Sequence, residues 1–229
     1  MIWTTSRTAS QFARSTLVVG ALILSLFPAH AGAQALPAGW TSADIGSPQL
    51  AGSASYASGT FTVTGAGVDI WNTGDQFRFV YRQLTGDGVI VARVNTLQQA
   101  DGWSKAGVMI RETLTAGSKH AFALVSAANG LAFQRRVTTS GLSTNTQTSG
   151  AVPRWVKLER KGSTFTASIS SNGTSWQVVG SATITMAATT YVGLAVTSHN
   201  ANARTTASYS NVSVTTSTTT NTPPTIAIT

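Results

Sequence analysis

Cysteine is absent from all 229 residues. Disulfide staples, thiolate metal sites, a cysteine nucleophile and a lipid-modified N-terminal cysteine are all excluded. Acidic residues are nearly as scarce, with 7 Asp and Glu against 15 Lys and Arg. They are Asp44, Asp69, Asp75, Asp87, Asp101, Glu112 and Glu159. Glycoside hydrolysis needs two carboxylates flanking the scissile bond. No E-x-D-x-x-E run is present that would set paired acids on one strand face, so the acids read as solvated charges and turn formers. Beyond residue 35 the histidines are His120 and His199, with no G-x-S-x-G elbow for either to serve. H-E-x-x-H, P-loop and dinucleotide fingerprints are also missing, and zinc and nucleotide cofactors are therefore not implied. Helical periodicity is nearly absent after the first 35 residues.

What is present begins with a leader. Arg7 and Arg14 precede an apolar run over 17–27 that Pro28 ends. Ala29-His-Ala31, Ala31-Gly-Ala33 and Ala33-Gln-Ala35 offer small-x-small cleavage sites. A run of about eleven residues is too short to span a bilayer. Residues 1–35 are therefore expected to be a secretory signal peptide cut near 31–35, leaving an exported chain (extracellular or periplasmic) with no membrane segment. Removing Arg7 and Arg14 takes the formal charge from +8 to +6. Such a balance can mark nucleic-acid binding. Here the bases are scattered, never more than two in a row, and no recognition helix, zinc spacing or RNP-type motif accompanies them. Nucleic acid is not expected as a partner; an acidic polysaccharide stays open.

From residue 36 to 214 the chain is a series of short Val-, Ile-, Thr- and aromatic-rich runs cut by Gly, Asn and Ser. Strands are expected at 60–64, 68–71, 76–83, 88–96, 105–112, 119–126, 131–138, 154–161, 164–170, 177–181, 191–198 and 205–214. Gly86-Asp-Gly88, Asn129-Gly130 and Asn172-Gly173 supply the positive-φ residues that tight hairpins need. Strands joined by hairpins without helices predict an all-β fold, an antiparallel two-sheet jelly-roll sandwich, with one core in about 180 residues. Residues 215–224 are Thr and Ser followed by Pro223-Pro224, and 225–229 resume an apolar alternation. They read as a linker and the start of a further, immunoglobulin-like module in a longer protein.

Binding residues are better represented than catalytic ones. Trp71, Tyr81, Trp103 and His199 fall at strand ends or near loops, where an aromatic ring can stack on a sugar face. Arg111, Gln134 and Arg136 fall at polar-facing positions of consecutive strands and are expected to line one sheet surface. Trp155 and Trp176 read as core. Asp44, Asp69 and Asp75 are weak candidates for an oxygen-rich calcium site; no other cofactor is expected.

Several blocks then recur in a recognisable order: Asp44-Ile-Gly46, Gly65-Ala-Gly-Val-Asp-Ile-Trp71, Gly86-Asp-Gly88, Trp103-Ser-Lys-Ala-Gly-Val-Met-Ile-Arg-Glu112, Phe133-Gln-Arg-Arg136, Trp155-Val-Lys157, Ser170-Ser-Asn-Gly-Thr-Ser-Trp176 and Tyr191-Val-Gly-Leu-Ala-Val-Thr-Ser-His199. Together they resemble the concanavalin A-like β-sandwich modules of secreted bacterial proteins, which occur beside glycosidases, lyases and immunoglobulin-like repeats. The resemblance covers nearly all of 36–214. It implies a jelly roll and an ancillary, carbohydrate-binding-like role without a fixed set of site residues. An atypical glycosidase or lyase of the same fold and a structural or adhesive spacer are the alternatives. The block at 170–176 is similar to an Asp-box turn, but Asn172 replaces the aspartate and one residue is missing, so it is expected only to stabilise a hairpin.

Overall fold

The computed structural model describes residues 1–3 and 35–217. Nearly all of the expected signal peptide, most of the expected linker and the expected following module lie outside the described residues. Sixteen strands are formed among those described: β1 Thr41–Ile45, β2 Ser53–Ala57, β3 Thr60–Gly67, β4 Ile70–Trp71, β5 Gly74–Asp75, β6 Phe77–Thr85, β7 Asp87–Leu97, β8 Lys105–Arg111, β9 His120–Ser126, β10 Leu131–Arg136, β11 Thr144–Thr148, β12 Arg154–Lys161, β13 Thr164–Ser170, β14 Gln177–Thr183, β15 Thr189–Thr197 and β16 Asn200–Ser217. They make two seven-stranded sheets, in the orders β1-β6-β15-β8-β9-β10-β11 and β14-β13-β12-β7-β16-β3-β2, plus the small β4-β5 hairpin. The expected two-sheet antiparallel jelly-roll sandwich is observed.

Each of the twelve expected strands has a counterpart. β1, β2, β5 and β11 were not foreseen, because Ser53–Ala57 and Thr144–Thr148 carry no bulky apolar alternation and are held by their partners β3 and β10. β16 also runs further than expected. Thr215, Thr216 and Ser217 pair with Val89, Gly88 and Asp87, so these three residues belong to the sandwich and not to the linker. Threonine suits a pleated, half-exposed surface.

The main core lies between the sheets. Val80, Val108, Ile110, Val125 and Leu194 from the first sheet meet Val63, Ile90, Val156, Leu158 and Phe165 from the second. Tyr209 of β16 crosses this core, fully buried, and its hydroxyl sits between two strands of the opposite sheet. It accepts from the Gly107 amide at 3.1 Å and donates to the Ala195 carbonyl at 3.1 Å. Gly107 and Ala195 are register partners on β8 and β15, so one phenol from the second sheet bonds to both strands and ties the two sheets together.

A second apolar cluster lies on the face of the first sheet that points away from the second. Phe77, Phe79, Met109, Phe122, Leu124, Ala132 and Ala195 are buried there under Ile70. Ile70 belongs to β4, so the segment between β3 and β6 folds back over the sheet. As a result β8 and β9 are buried at every residue, unlike the one-wet-face alternation usual for antiparallel sheets.

The outward face of the second sheet is rich in hydroxyls. Thr64 bonds Thr206 across β3 and β16 (2.9 Å), and Thr96 bonds Ser208 across β7 and β16 (2.6 Å). Trp155 and Trp176 are on this outer side, half-buried, and not in the core as expected. The inward positions of β12 are taken by Val156, Leu158 and Arg160, which leaves Trp155, Lys157 and Glu159 facing out. Gly173 packs against the Trp155 ring, and the Lys157 ammonium lies 4.5 Å from the Trp176 ring centroid. The turn between them is the expected hairpin stabiliser. Ser170 Oγ accepts from the Gly173 amide (2.9 Å), and Asn172 Oδ1 accepts from the Thr174 and Ser175 amides (both 2.9 Å).

Candidate functional site

A cavity of about 310 Å³ opens on the outer face of the first sheet, lined by Asp69, Trp71, Trp103, Lys105, Gln134, Asn145, Gln147 and His199. Its floor is Lys105, at the start of β8. The Lys105 ammonium donates to Asp69 Oδ1 at 2.5 Å, to Gln134 Oε1 at 3.2 Å and to the Ile70 carbonyl at 3.3 Å. It lies 5.7 Å from the Trp71 ring centroid and 5.5 Å from that of Trp103. The two half-buried indoles thus share one buried cation, each within cation–π reach. Burial pulls the lysine pKa below its ordinary value, with the Asp69 charge and hydrogen bond opposing the change.

Three loops and three strands, β8, β10 and β11, bring these groups together. Asp69 and Trp71 come from the β3–β6 excursion. Trp103 comes from the loop before β8, where Asp101 Oδ1 accepts from the Trp103 amide (2.7 Å) and Ser104 Oγ donates to the Ser198 carbonyl (2.8 Å). His199 occupies the turn between β15 and β16 in the left-handed region, φ 55°. This conformation is uncommon for a side-chain-bearing residue and is often found where function fixes a turn. Its ring lies between two carboxylates, with Nδ1 3.1 Å from Asp101 Oδ1 and Nε2 3.4 Å from Asp69 Oδ2. Gln134 of β10 is in register with Asn145 of β11, and the Asn145 amide donates to Gln147 Oε1 at 3.3 Å. The pocket therefore offers two apolar rings, paired charges and a row of amides.

Four of the expected ligand-binding residues, Trp71, Trp103, Gln134 and His199, meet here. Tyr81 does not. It stacks on Phe79 with ring centroids 5.2 Å apart, meets Tyr191 edge-on at 5.5 Å, and lines a separate groove with Gly39, Thr41 and Arg82. Arg111 and Arg136 do share one face with His120, in one register row across β8, β9 and β10. That face is covered, however, and both guanidiniums are fully buried, so neither can reach a ligand. Asp75 is the carboxylate that makes the burial tolerable. It meets Arg136 Nη2 at 2.7 Å, Arg111 Nη2 at 3.5 Å and His120 Nδ1 at 3.5 Å. His120 is pushed down to about 4, chiefly by burial and further by Arg136 and Arg111, with Asp75 opposing. It is therefore neutral at physiological pH.

The three calcium candidates face three different partners. Asp44 accepts twice from the Gly52 amide (3.1 and 3.0 Å) and pairs with Arg78 (3.3 Å). Asp69 holds Lys105, and Asp75 holds the arginines. Among the described residues no three His, Asp or Glu side chains are grouped to hold a metal. Lys105, Asn145 and Gln147 are site residues that the sequence reading did not single out. Lys105 had a visible signal, since it shares the odd-numbered face of β8 with Arg111.

A two-sheet antiparallel jelly roll with its pocket on one outer face is the concanavalin A-like sandwich, as the sequence blocks implied. No protein-family description and no curated protein matches the chain by sequence, but solved structures share its fold. A functionally unknown protein from Saccharomyces cerevisiae superposes with TM-score 0.63 at 17% identity, over 78% of this chain and 97% of that one. The carbohydrate binding module CBM66 from Bacillus subtilis gives 0.52 at 17% identity, over 80% and 96%. A Bacteroides ovatus xyloglucan PUL GH43B protein gives 0.55 at 15% identity, over 77% of this chain but 37% of that one.

Proposed function

We propose that the chain is an exported, non-catalytic module that binds a neutral glycan between Trp71 and Trp103, serving a larger secreted protein to which it is joined. The observation that carries this reading is the pocket itself. Two indoles present flat apolar faces, while Gln134, Asn145, Gln147 and His199 set hydrogen-bonding groups around them. Sugar rings combine apolar C–H faces with rims of hydroxyls, and such a lining suits both. A neutral ligand is favoured over an acidic one because the only ammonium in the pocket is already bound to Asp69. Likeness to a carbohydrate binding module of nearly the same extent supports the reading. Held beside an enzyme, such a module raises the local concentration of its polysaccharide without adding chemistry.

The test is calorimetric titration of the purified protein with neutral oligosaccharides and with uronate-containing ones. Binding of a neutral set that Trp71→Ala and Trp103→Ala abolish is expected. Absence of binding across a broad glycan panel would reject the reading.

A hydrolytic reading has one observation in its favour: Asp69 and Asp101 flank the His199 ring. Against it, Asp69 is engaged by Lys105 and the Ile70 amide, and Asp101 by the Trp103 amide. Release of reducing sugar from an oligosaccharide that is lost in Asp69→Asn and Asp101→Asn would establish it.

A further inference from the structure

Trp71 has little secondary structure of its own to hold it. Its strand β4 pairs only with β5, through two register pairs, and belongs to neither large sheet. Asn72, next to it, is in the left-handed region at φ 44°. The Ser143 amide and hydroxyl donate to the Asn72 carbonyl (3.0 and 3.2 Å) and the Asp75 amide to the Ala116 carbonyl (3.1 Å), but the largest share held by one side chain is that of Arg136 beneath it. Arg136 Nη2 donates to the Trp71 carbonyl at 2.9 Å and the Asn72 carbonyl at 3.1 Å, and Nε reaches Asn72 O at 3.3 Å and Gly141 O at 3.0 Å. The same guanidinium holds both Asp75 oxygens (2.9 and 2.7 Å), and Nη1 reaches the carbonyls of Ala116 (3.2 Å) and Ser118 (3.1 Å). It thus grips both ends of the hairpin turn and ties them to the β8–β9 and β10–β11 connections. Turning the Trp71 and Asn72 carbonyls inward leaves the indole facing the pocket.

We infer that Arg136, with Asp75, is the positioning residue for the Trp71 wall of the binding pocket, acting through the hairpin backbone without touching ligand. The inference rests on the glycan-binding reading for its functional meaning, but its structural content can be tested without any ligand. A planar fork with five donors suits this many acceptors, whereas an ammonium has three donors and a single centre. Arg136→Lys keeps the charge against Asp75 and leaves several buried carbonyls unpaired. Asp75→Asn keeps the shape and removes the charge.

The experiment compares backbone hydrogen exchange over residues 69–76 in the full chain, its Arg136→Lys and Asp75→Asn variants, and Leu158→Ala as a control. Leu158→Ala truncates the core of the opposite sheet and lowers global stability. Exchange in 69–76 is expected to quicken by roughly tenfold or more in Arg136→Lys relative to strands β12 and β13, because a few unpaired buried groups are worth about that factor. The control should quicken exchange without singling out this segment. Neutral-glycan affinity is expected to fall in parallel, with Leu158→Ala binding normally below its unfolding transition. Unchanged relative exchange over 69–76 in both variants overturns the positioning role, and so does failure of both to fold, which would make the pair a general determinant of the fold. Faster local exchange in a protein that binds no glycan keeps the positioning role and rejects the glycan reading.

Discussion

Tyr209→Phe removes one oxygen and nothing else, yet that oxygen is a polar link between the two sheets across the main core. In the parent protein the hydroxyl accepts from Gly107 and donates to Ala195. Phenylalanine takes this partner from a buried amide and a buried carbonyl. An orphaned buried group costs about 1–3 kcal/mol, so two give roughly 2–6 kcal/mol. If either group finds another partner, the cost drops to about 1 kcal/mol. The ring is fully buried among close-packed side chains that leave no room for water, and about 3 kcal/mol is expected. For a domain of this size that is a fall of about 6–12 °C in Tm. Urea unfolding and calorimetry measure it directly, and the denaturant slope should not change. A variant melting within about a degree of the parent would refute the bridge. Burial also pushes the pKa of this phenol far above its ordinary value, chiefly by desolvation. The folded state therefore keeps a proton that the unfolded state loses near pH 10. Stability is intact below that pH and falls above it, by up to about 1.4 kcal/mol per pH unit. Tyr209→Phe should flatten that alkaline decline.

The opposite sign applies to His120. Its value is depressed from 6.5 to about 4, so the unfolded chain takes up a proton below 6.5 that the folded chain refuses until about 4. Stability should be fully present above pH 6.5 and fall by on the order of 3 kcal/mol toward pH 4; urea titrations in which His120→Leu shows the same fall would contradict this. Trp71→Ala and Trp103→Ala are each expected to weaken glycan binding by at least tenfold, since a stacking ring is worth about 1.5 kcal/mol or more, and retention of affinity in both would move the site elsewhere. Gly193→Ala should cost about 3 kcal/mol or prevent folding, because a Cβ there would run into the Val80 carbonyl; a soluble variant with parental urea stability would show that β6 can shift.

Most of the sandwich was legible because its strands announce themselves locally. Arg154 to Lys161 alternates as its observed faces require. The pocket was half legible. Trp71, Trp103, Gln134 and His199 stand out by type and by position near strand ends or on a polar face, and they do converge. Arg111 and Arg136 were placed on the correct common face, but nothing near either residue reveals that the 68–76 segment returns to cover it. One clue existed: Ala121-Phe-Ala-Leu-Val125 is apolar at every position, as expected of a strand buried on both sides. Asn145 and Gln147 were hidden for a different reason. A strand reading Thr-Asn-Thr-Gln-Thr has no apolar face to betray it, and only its pairing with β10 makes it a strand.

The hydroxyl rows across β3, β16 and β7 bear on where this molecule can work. Protein surfaces commonly meet water with charge, and charge is felt through the surrounding electrolyte. Here only 10% of residues are charged, and a broad face instead meets solvent through Thr64, Thr96, Thr206 and Ser208. Dilute and briny media look much the same to such a surface. The cross-strand hydroxyl bonds of this face should hold equally in fresh water and in sea water, while the net positive charge of the chain stays open to screening.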